Sequence, residues 1–183
     1  MTATIDRMPN RLAADLDAAF PDVVRTLQDA VYSGALQLTK NHHDAEDVTQ
    51  ETFVRAYRAL SSYDADRIRG IELRPWVWTI ALNLCRNKAR SKKRHPQTVL
   101  DDARPAAVAD PAVEAVEAAD LAVWRNRLQS LSSPQRTAVV LRHIVDLGYE
   151  EIAASTGRPE ATVRSDVRRG LARLRAITEE ERR

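Results

Sequence analysis

A single cysteine, Cys85, occurs in 183 residues. That excludes an intrachain disulfide and a thiolate cluster for zinc. Glycine is scarce, with five in all, too few for a sheet protein built on tight turns. Aromatic residues make up only 5% of the chain, so each tryptophan is informative. There is no run of about 18 apolar residues, so no membrane span is expected. The N-terminal MTATIDRMPNRLAADLDAAF lacks the basic flank and apolar core of a secretory signal. P-loop, GxSxG and HExxH patterns are missing, and His42, His43, His95 and His143 are scattered. An enzyme, a cofactor and a metal site are therefore not expected. Together these absences fit a reducing cytoplasm.

What is present is charge, unevenly placed. The net charge is +2. Residues 1–70 carry 8 Lys and Arg against 11 Asp and Glu, residues 71–95 carry 7 against 1, residues 96–134 carry 3 against 6, and residues 135–183 carry 10 against 8. Within the last block, Arg158–Arg175 holds six arginines against two acids. A solvated helix face is the plain reading of either cluster alone. Two separated basic clusters on a near-neutral chain suit a polyanion gripped at two places.

Apolar spacing predicts helix through most of the chain. Leu12–Thr39 shows helical spacing with an interruption near Pro21. In 44–60, Ala45, Val48, Thr49, Thr52, Phe53, Ala56, Tyr57 and Leu60 form one stripe, with Asp44 as the expected N-cap and Asp47 as a weak capping-box partner. Residues 61–74 read as a loop, and a helix opens at Pro75 and runs to about Arg94. The stretch HPQTVLDDARPAAVADP has three prolines, three acids and no apolar period, so 96–111 reads as a flexible acidic linker. Helix resumes at Ala112. Ser133 and Pro134 start a helix to about Val145, Tyr149–Thr156 forms a short one, and Pro159 opens a last one to about Ile177. The expected architecture is all-α: two small helical domains, 10–95 and 112–183, joined by the linker.

The C-terminal YEEIAASTGRPEATVRSDVRRGLARLR has helix-turn-helix spacing. Val163, Val167, Gly170, Leu171 and Leu174 would be buried, with Ile152 and Ala153 packed against Val163 and Val167. The opposite arc carries Ala161, Arg164, Ser165, Arg168, Arg169 and Ala172. Small residues permit close approach to a major groove, and arginine can grip guanine O6 and N7 or hold phosphate.

The stretch RPWVWTIALNLCRNKARSKKR combines two faces. Val77, Ile80, Ala81, Leu84 and Cys85 are core, with Cys85 acting as a small hydrophobe and Trp78 expected in the core as well. Asn83, Arg86, Asn87 and Arg90 share the other face, with Trp76 at its edge. Aromatics stack on unpaired bases, amides bond base edges and cations hold the backbone. This is equipment for single-stranded nucleic acid. In the preceding helix, Val54 stands alone among Glu46, Asp47, Gln50, Glu51, Arg55 and Arg58, the pattern of a protein contact or of an unremarkable exposed valine.

These segments, in this order, resemble the extracytoplasmic-function (ECF) sigma factors of bacterial RNA polymerase across about residues 20–178. DAEDVTQETFVRAYRAL is similar to their second conserved region, RPWVWTIALNLCRNKARSKKR to the part that opens and reads the minus-ten element, and LSSPQRTAVVLRHIVDLGYEEIAASTGRPEATVRSDVRRGLARLR to the fourth region, which reads the minus-thirty-five element. The resemblance implies a transcription initiation factor whose partners are promoter DNA and core RNA polymerase, through the clamp helices of its largest subunit and the β flap. It implies polymerase contacts at Asp47, Gln50, Glu51, Val54 and Arg55. Minus-ten contacts would come from Trp76, Asn83, Arg86, Asn87 and Arg90, with Asn83 capturing a flipped base. Minus-thirty-five contacts would come from Thr162, Arg164, Ser165, Arg168, Arg169 and Arg173. The acidic linker would thread toward the RNA exit path. Many members of the family are held by an anti-sigma factor, a partner the resemblance leaves open here. The free chain is expected to be monomeric. Two departures stand out: the 61–75 loop is a few residues longer than the family pattern, and Asp166 occupies a place where a basic or neutral residue is usual. The alternative is a stand-alone helix-turn-helix regulator, which should dimerise on a palindrome and would leave the central segment without a use.

Overall fold

A computed structural model describes residue 5, residues 7–94 and residues 123–182, and every regular element among them is helical. In chain order these are α1 (Met8–Ala14), α2 (Leu16–Thr39), α3 (His42–Ser61), α4 (Ala65–Arg69), α5 (Leu73–Arg94), α6 (123–129), α7 (Ser133–His143), α8 (Tyr149–Thr156) and α9 (Glu160–Glu181). The linker expected at 96–111 and the start of the second domain at Ala112 lie outside the described residues.

The first break falls at Asp15, not at Pro21. Asp15 is extended (φ −154°, ψ 101°) and its carboxylate accepts from the Ala18 amide at 3.0 Å, starting α2 at Leu16. Pro21 then lies inside α2. An interior proline costs about 3 kcal/mol. The stripe Phe20, Val23, Leu27 and Val31 continues past it in the core, and burying each such side chain contributes ~1.5–3 kcal/mol, so packing overrides the local penalty. The 61–74 segment is likewise not all loop. Asp64 accepts from the Arg67 amide at 2.8 Å and caps the five-residue α4. α5 begins at Leu73, two residues before Pro75, and α9 runs on to Glu181.

The N-cap of α3 is Asn41, whose side-chain oxygen accepts from the Asp44 amide at 2.8 Å. Asp44, expected as the cap, is instead 8% exposed. Its carboxylate takes Lys88 Nζ at 3.2 Å and Lys92 Nζ at 2.5 Å from α5. Burial pushes this carboxyl up, but the two lysines together hold it below the ordinary value of 3.8. A depressed folded-state value means that the interaction stabilises the fold above pH 3.8 and is lost as pH falls through the depressed value. Asp44→Asn should therefore lower Tm at neutral pH, with the gap to the native chain closing as the solution is acidified below 3.8. Thermal melts across pH check this, and a gap of constant size at every pH would contradict it.

The N-terminal half packs α2, α3 and α5 together around Val31, Phe53, Leu60, Val77 and Ala81. The C-terminal half packs α7, α8 and α9. Gly157 closes α8 in the left-handed region (φ 66°), where a residue without Cβ is favoured. Gly170 lets α9 lie on α7, since a Cβ there would sit 2.7 Å from Val139 Cγ2. Arg136 braces the end of α6 by donating to the Leu128, Gln129 and Leu131 carbonyls at 3.0–3.2 Å.

The two halves also pack on each other, α5 against α8 and α2 against α7, in one continuous core. Trp78 is 1% exposed and lies over Gly34, where a Cβ would come within 2.3 Å of its ring and 3.0 Å of Val145 Cγ2. Arg74 reaches Glu151 at 3.2 Å and donates to the Asp146 carbonyl at 3.0 Å. Thr79 is 3.4 Å from the Ser155 carbonyl oxygen.

Candidate nucleic-acid interface

α5 carries a continuous strip. At 100° per residue, Trp76, Asn83, Asn87, Arg90 and Arg94 fall within a sector of roughly 60°, and the span from 76 to 94 is about 27 Å. The opposite side is held in the core by Val77, Ala81, Leu84 and Cys85. Burial pushes the Cys85 thiol up to about 12, so it stays protonated and acts as packing. The strip is thus presented by an element whose orientation is fixed from behind.

Asn83 and Asn87 are exposed. Each amide oxygen is taken by a neighbouring guanidinium, Asn83 Oδ1 by Arg86 at 3.1 Å and Asn87 Oδ1 by Arg90 at 2.9 Å. This leaves the amide NH2 groups as donors toward solvent, suited to acceptor atoms on a base edge. Trp76 is half-buried and meets the Tyr63 ring edge-on at 6.5 Å. The Arg67 guanidinium lies 3.6 Å over the opposite partner, the Tyr63 ring. Tyr63 and Arg67 were not among the residues singled out in the sequence. They come from the long 61–75 segment, and only α4 brings them beside Trp76.

Not every cation of the basic block faces outward. Lys88 bridges Asp44 and Asp47, the latter at 2.8 Å, and Lys92 holds Asp44, while Arg74 turns to the C-terminal half. These three are structural ties. Arg86, Arg90, Lys93 and Arg94 remain exposed. Arg86 also borders a cleft between the halves with Ser133, Thr137, Thr156 and Arg158.

A second surface lies on α3. Asp47, Gln50, Glu51 and Val54 line a shallow depression with Val48, Leu84 and Lys88. Val54 is 41% exposed, and Arg55 donates to Glu51 at 2.7 Å beside it. An apolar knob ringed by charge is the form of a protein contact.

A third surface is the outer face of α9. Val163, Val167, Gly170 and Leu174 are buried, and Arg164, Arg168, Arg169 and Arg173 are exposed, with Thr162 and Ser165 half-buried between them. Arg164 donates to Glu160 at 2.8 Å and lies 4.6 Å over the Tyr149 ring. Arg169 is 3.1 Å from Asp166. Arg168 and Arg173 have no ion-pair partner among the described residues. Asp166 is not part of this exposed face: its side chain is 5% exposed and grips Arg158 as well as Arg169. The three surfaces are separate, so the candidate residues form three contact areas, not one pocket.

Comparison with known proteins gives a consistent result. The Sigma-70 region 2 family matches residues 23–95 and the Sigma-70, region 4 family matches residues 121–174. The ECF RNA polymerase sigma factor SigE of Mycolicibacterium smegmatis is 38% identical over 167 residues, covering 86% of this chain and 62% of that protein. SigW of Bacillus subtilis is 30% identical, covering 86% of this chain and 87% of that protein. The RNA polymerase sigma-E factor of Streptomyces coelicolor is 33% identical, covering 85% and 84%. Among solved structures, CnrH in complex with the cytosolic domain of CnrY superposes with a TM-score of 0.73 at 26% identity, over 96% of this chain and 98% of CnrH. The sigma factor RpoE from Bartonella quintana, in complex with the anti-sigma factor NepR, shares the fold with a TM-score of 0.64 at 24% identity.

Proposed function

Because this chain belongs to the ECF sigma factors of bacterial RNA polymerase, alternative sigma factors of transcription initiation, we propose how its three surfaces divide that work. The α3 surface docks on core polymerase through Asp47, Gln50, Glu51, Val54 and Arg55. The α5 strip receives the opened minus-ten strand: Trp76 stacks, Asn83 and Asn87 donate to base edges, and Arg86 and Arg90 hold phosphates. The α9 face enters the major groove at the minus-thirty-five element through Thr162, Arg164, Ser165, Arg168, Arg169 and Arg173. The observation that carries this reading is the α5 strip, where amides, an aromatic wall and arginines share one face of a helix anchored from behind. A duplex reader has no use for such a strip beside a helix-turn-helix, so the stand-alone regulator gains no support. The work takes place where the polymerase is, in the cytoplasm.

The packing of the two halves bears on this reading. Elements about 25 base pairs apart are separated by some 85 Å at ~3.4 Å per base pair, whereas a packed chain of 183 residues has a radius of gyration of about 16 Å. The packed chain therefore cannot reach both elements, and the halves separate when the promoter is bound. Gln37 Oε1, Arg125 Nε and Gln129 Nε2 are buried with no hydrogen-bond partner among the described residues, each a cost of about 1–3 kcal/mol to the fold. CnrH was solved with a cytosolic partner domain, and a partner of that kind would hold this chain in its packed form.

Unpairing costs a few kcal/mol per flipped base, so the chain should open promoters only with core polymerase. The test is run-off transcription of fragmented genomic DNA with sigma-free core polymerase. Discrete starts that share two spaced upstream motifs are the expected result. Absence of transcripts, together with failure to comigrate with core polymerase, would overturn the reading.

A further inference from the structure

Asp166 sits on the DNA-reading helix, two residues from Arg164 and Arg168, and an acid there should repel the duplex. Its burial reverses that expectation. The carboxylate is 5% exposed and uses both oxygens: Oδ2 takes Arg158 Nη1 and Oδ1 takes Arg169 Nη2 at 3.1 Å. Arg158 comes from the turn between α8 and α9, where Gly157 is left-handed and the Arg158 amide donates to the Ala153 carbonyl at 3.2 Å. Arg169 comes from the middle of α9, nearly three turns along. One buried acid thus holds side by side two guanidiniums, one from the turn before the helix and one from its middle.

Each guanidinium spends one of its five N–H donors on Asp166. Arg158 remains 33% exposed and Arg169 57% exposed at the side chain, so both present donors to solvent. A tethered arginine loses less rotamer freedom on meeting a phosphate than a free one. It also carries less free charge, because the shared carboxylate offsets one unit. The arrangement favours phosphates at fixed places and weakens attraction to phosphates elsewhere. Phosphate contacts of this sort set register.

We propose that Asp166 is a positioning residue of the minus-thirty-five reader, which holds Arg158 and Arg169 for two backbone phosphates, and that Arg158 is a further DNA-contacting residue. This rests on the reading of α9 as a duplex reader. The test uses reconstituted holoenzyme on two promoter templates that share the minus-ten element, one with its native upstream element and one with that element scrambled. Affinity is measured across salt concentrations for the native chain, Asp166→Asn and Arg158→Ala, with thermal melts of each chain.

Asp166→Asn should bind the scrambled template at least as tightly as the native chain does, because a negative charge is gone. Its preference for the native template should fall about tenfold, the size of a lost specific contact. Arg158→Ala should weaken both templates by a similar factor and reduce the salt slope by about one, the signature of one phosphate contact. A purely structural acid would, on removal, weaken both templates in step with the fraction unfolded. A purely electrostatic one would strengthen both and leave the preference unchanged. Either outcome overturns the proposal, as does an unaltered salt slope for Arg158→Ala. If the native chain itself fails to prefer the native template, the duplex-reading role of α9 is what has failed.

Discussion

Replacing Asn83 by alanine should abolish most promoter opening while leaving binding to core polymerase and to the upstream element intact. Asn83 is exposed and packs against nothing in the core. Its one described side-chain bond is to Arg86, also exposed. Truncation therefore should cost the fold less than about 0.5 kcal/mol, the usual size for an exposed surface change. The cost to opening is of a different order. A flipped base that loses its amide partner forfeits about 1–3 kcal/mol of recognition, and Arg86, released from Asn83 Oδ1, loses its fixed position as well. The expected result is a ten- to hundredfold loss of open complex, read with a fluorescent base analogue in the minus-ten strand. Arg168→Ala, on α9, should spare opening on a template with an unpaired minus-ten bubble and impair only duplex promoters with the upstream motif. A loss of polymerase binding in Asn83→Ala, or equal losses on both templates in Arg168→Ala, would contradict the division between the α5 and α9 surfaces.

The contrast between these surfaces and the rest of the molecule shows where sequence reasoning has its reach. Patterns within one helix were legible because period and side-chain type act locally. The stripe from Ala45 to Leu60 predicted α3, the Gly157 turn predicted the boundary of α8, and Val77, Ala81, Leu84 and Cys85 faced the core as their spacing required. The errors arose where a residue has two local meanings. Asp44 reads as an N-cap beside an apolar run, but Asn41 takes the cap and Asp44 is recruited by Lys88 and Lys92, more than forty residues away. Pro21 reads as a break, yet the core on either side of it outweighs the lost bond. Asp166 had the opposite ambiguity, a phosphate repeller by sequence and a buried anchor by structure. Nothing in the local pattern foretells that Arg74 meets Glu151 or that Trp78 packs near Val145. Those contacts join segments some seventy residues apart and exist only once the halves are packed.

The two tryptophans, two residues apart, offer the sharpest test of that distinction. Trp78 is 1% exposed and lies between Gly34 of α2 and the Val145 segment of the C-terminal half. Truncation to alanine there removes the largest fully buried side chain of the chain's described core and leaves a cavity, at a cost of about 3–5 kcal/mol. For a chain of this size that corresponds to a fall in Tm of roughly 6–20 °C. Trp76 is half-buried, with one edge on Tyr63 and the other open to the α5 strip. Its truncation should cost the fold about 1 kcal/mol, since part of its surface stays in water and part of the aromatic contact is lost. Yet base stacking is worth about 1–3 kcal/mol per base, so Trp76→Ala should depress open-complex formation well beyond its effect on Tm. Trp78→Ala should instead lose activity only as far as it unfolds. Melting curves paired with opening assays at a temperature where both chains are folded separate the two. Equal effects of the two substitutions on opening, once stability is matched, would remove Trp76 from the strand-binding surface and leave both residues as packing.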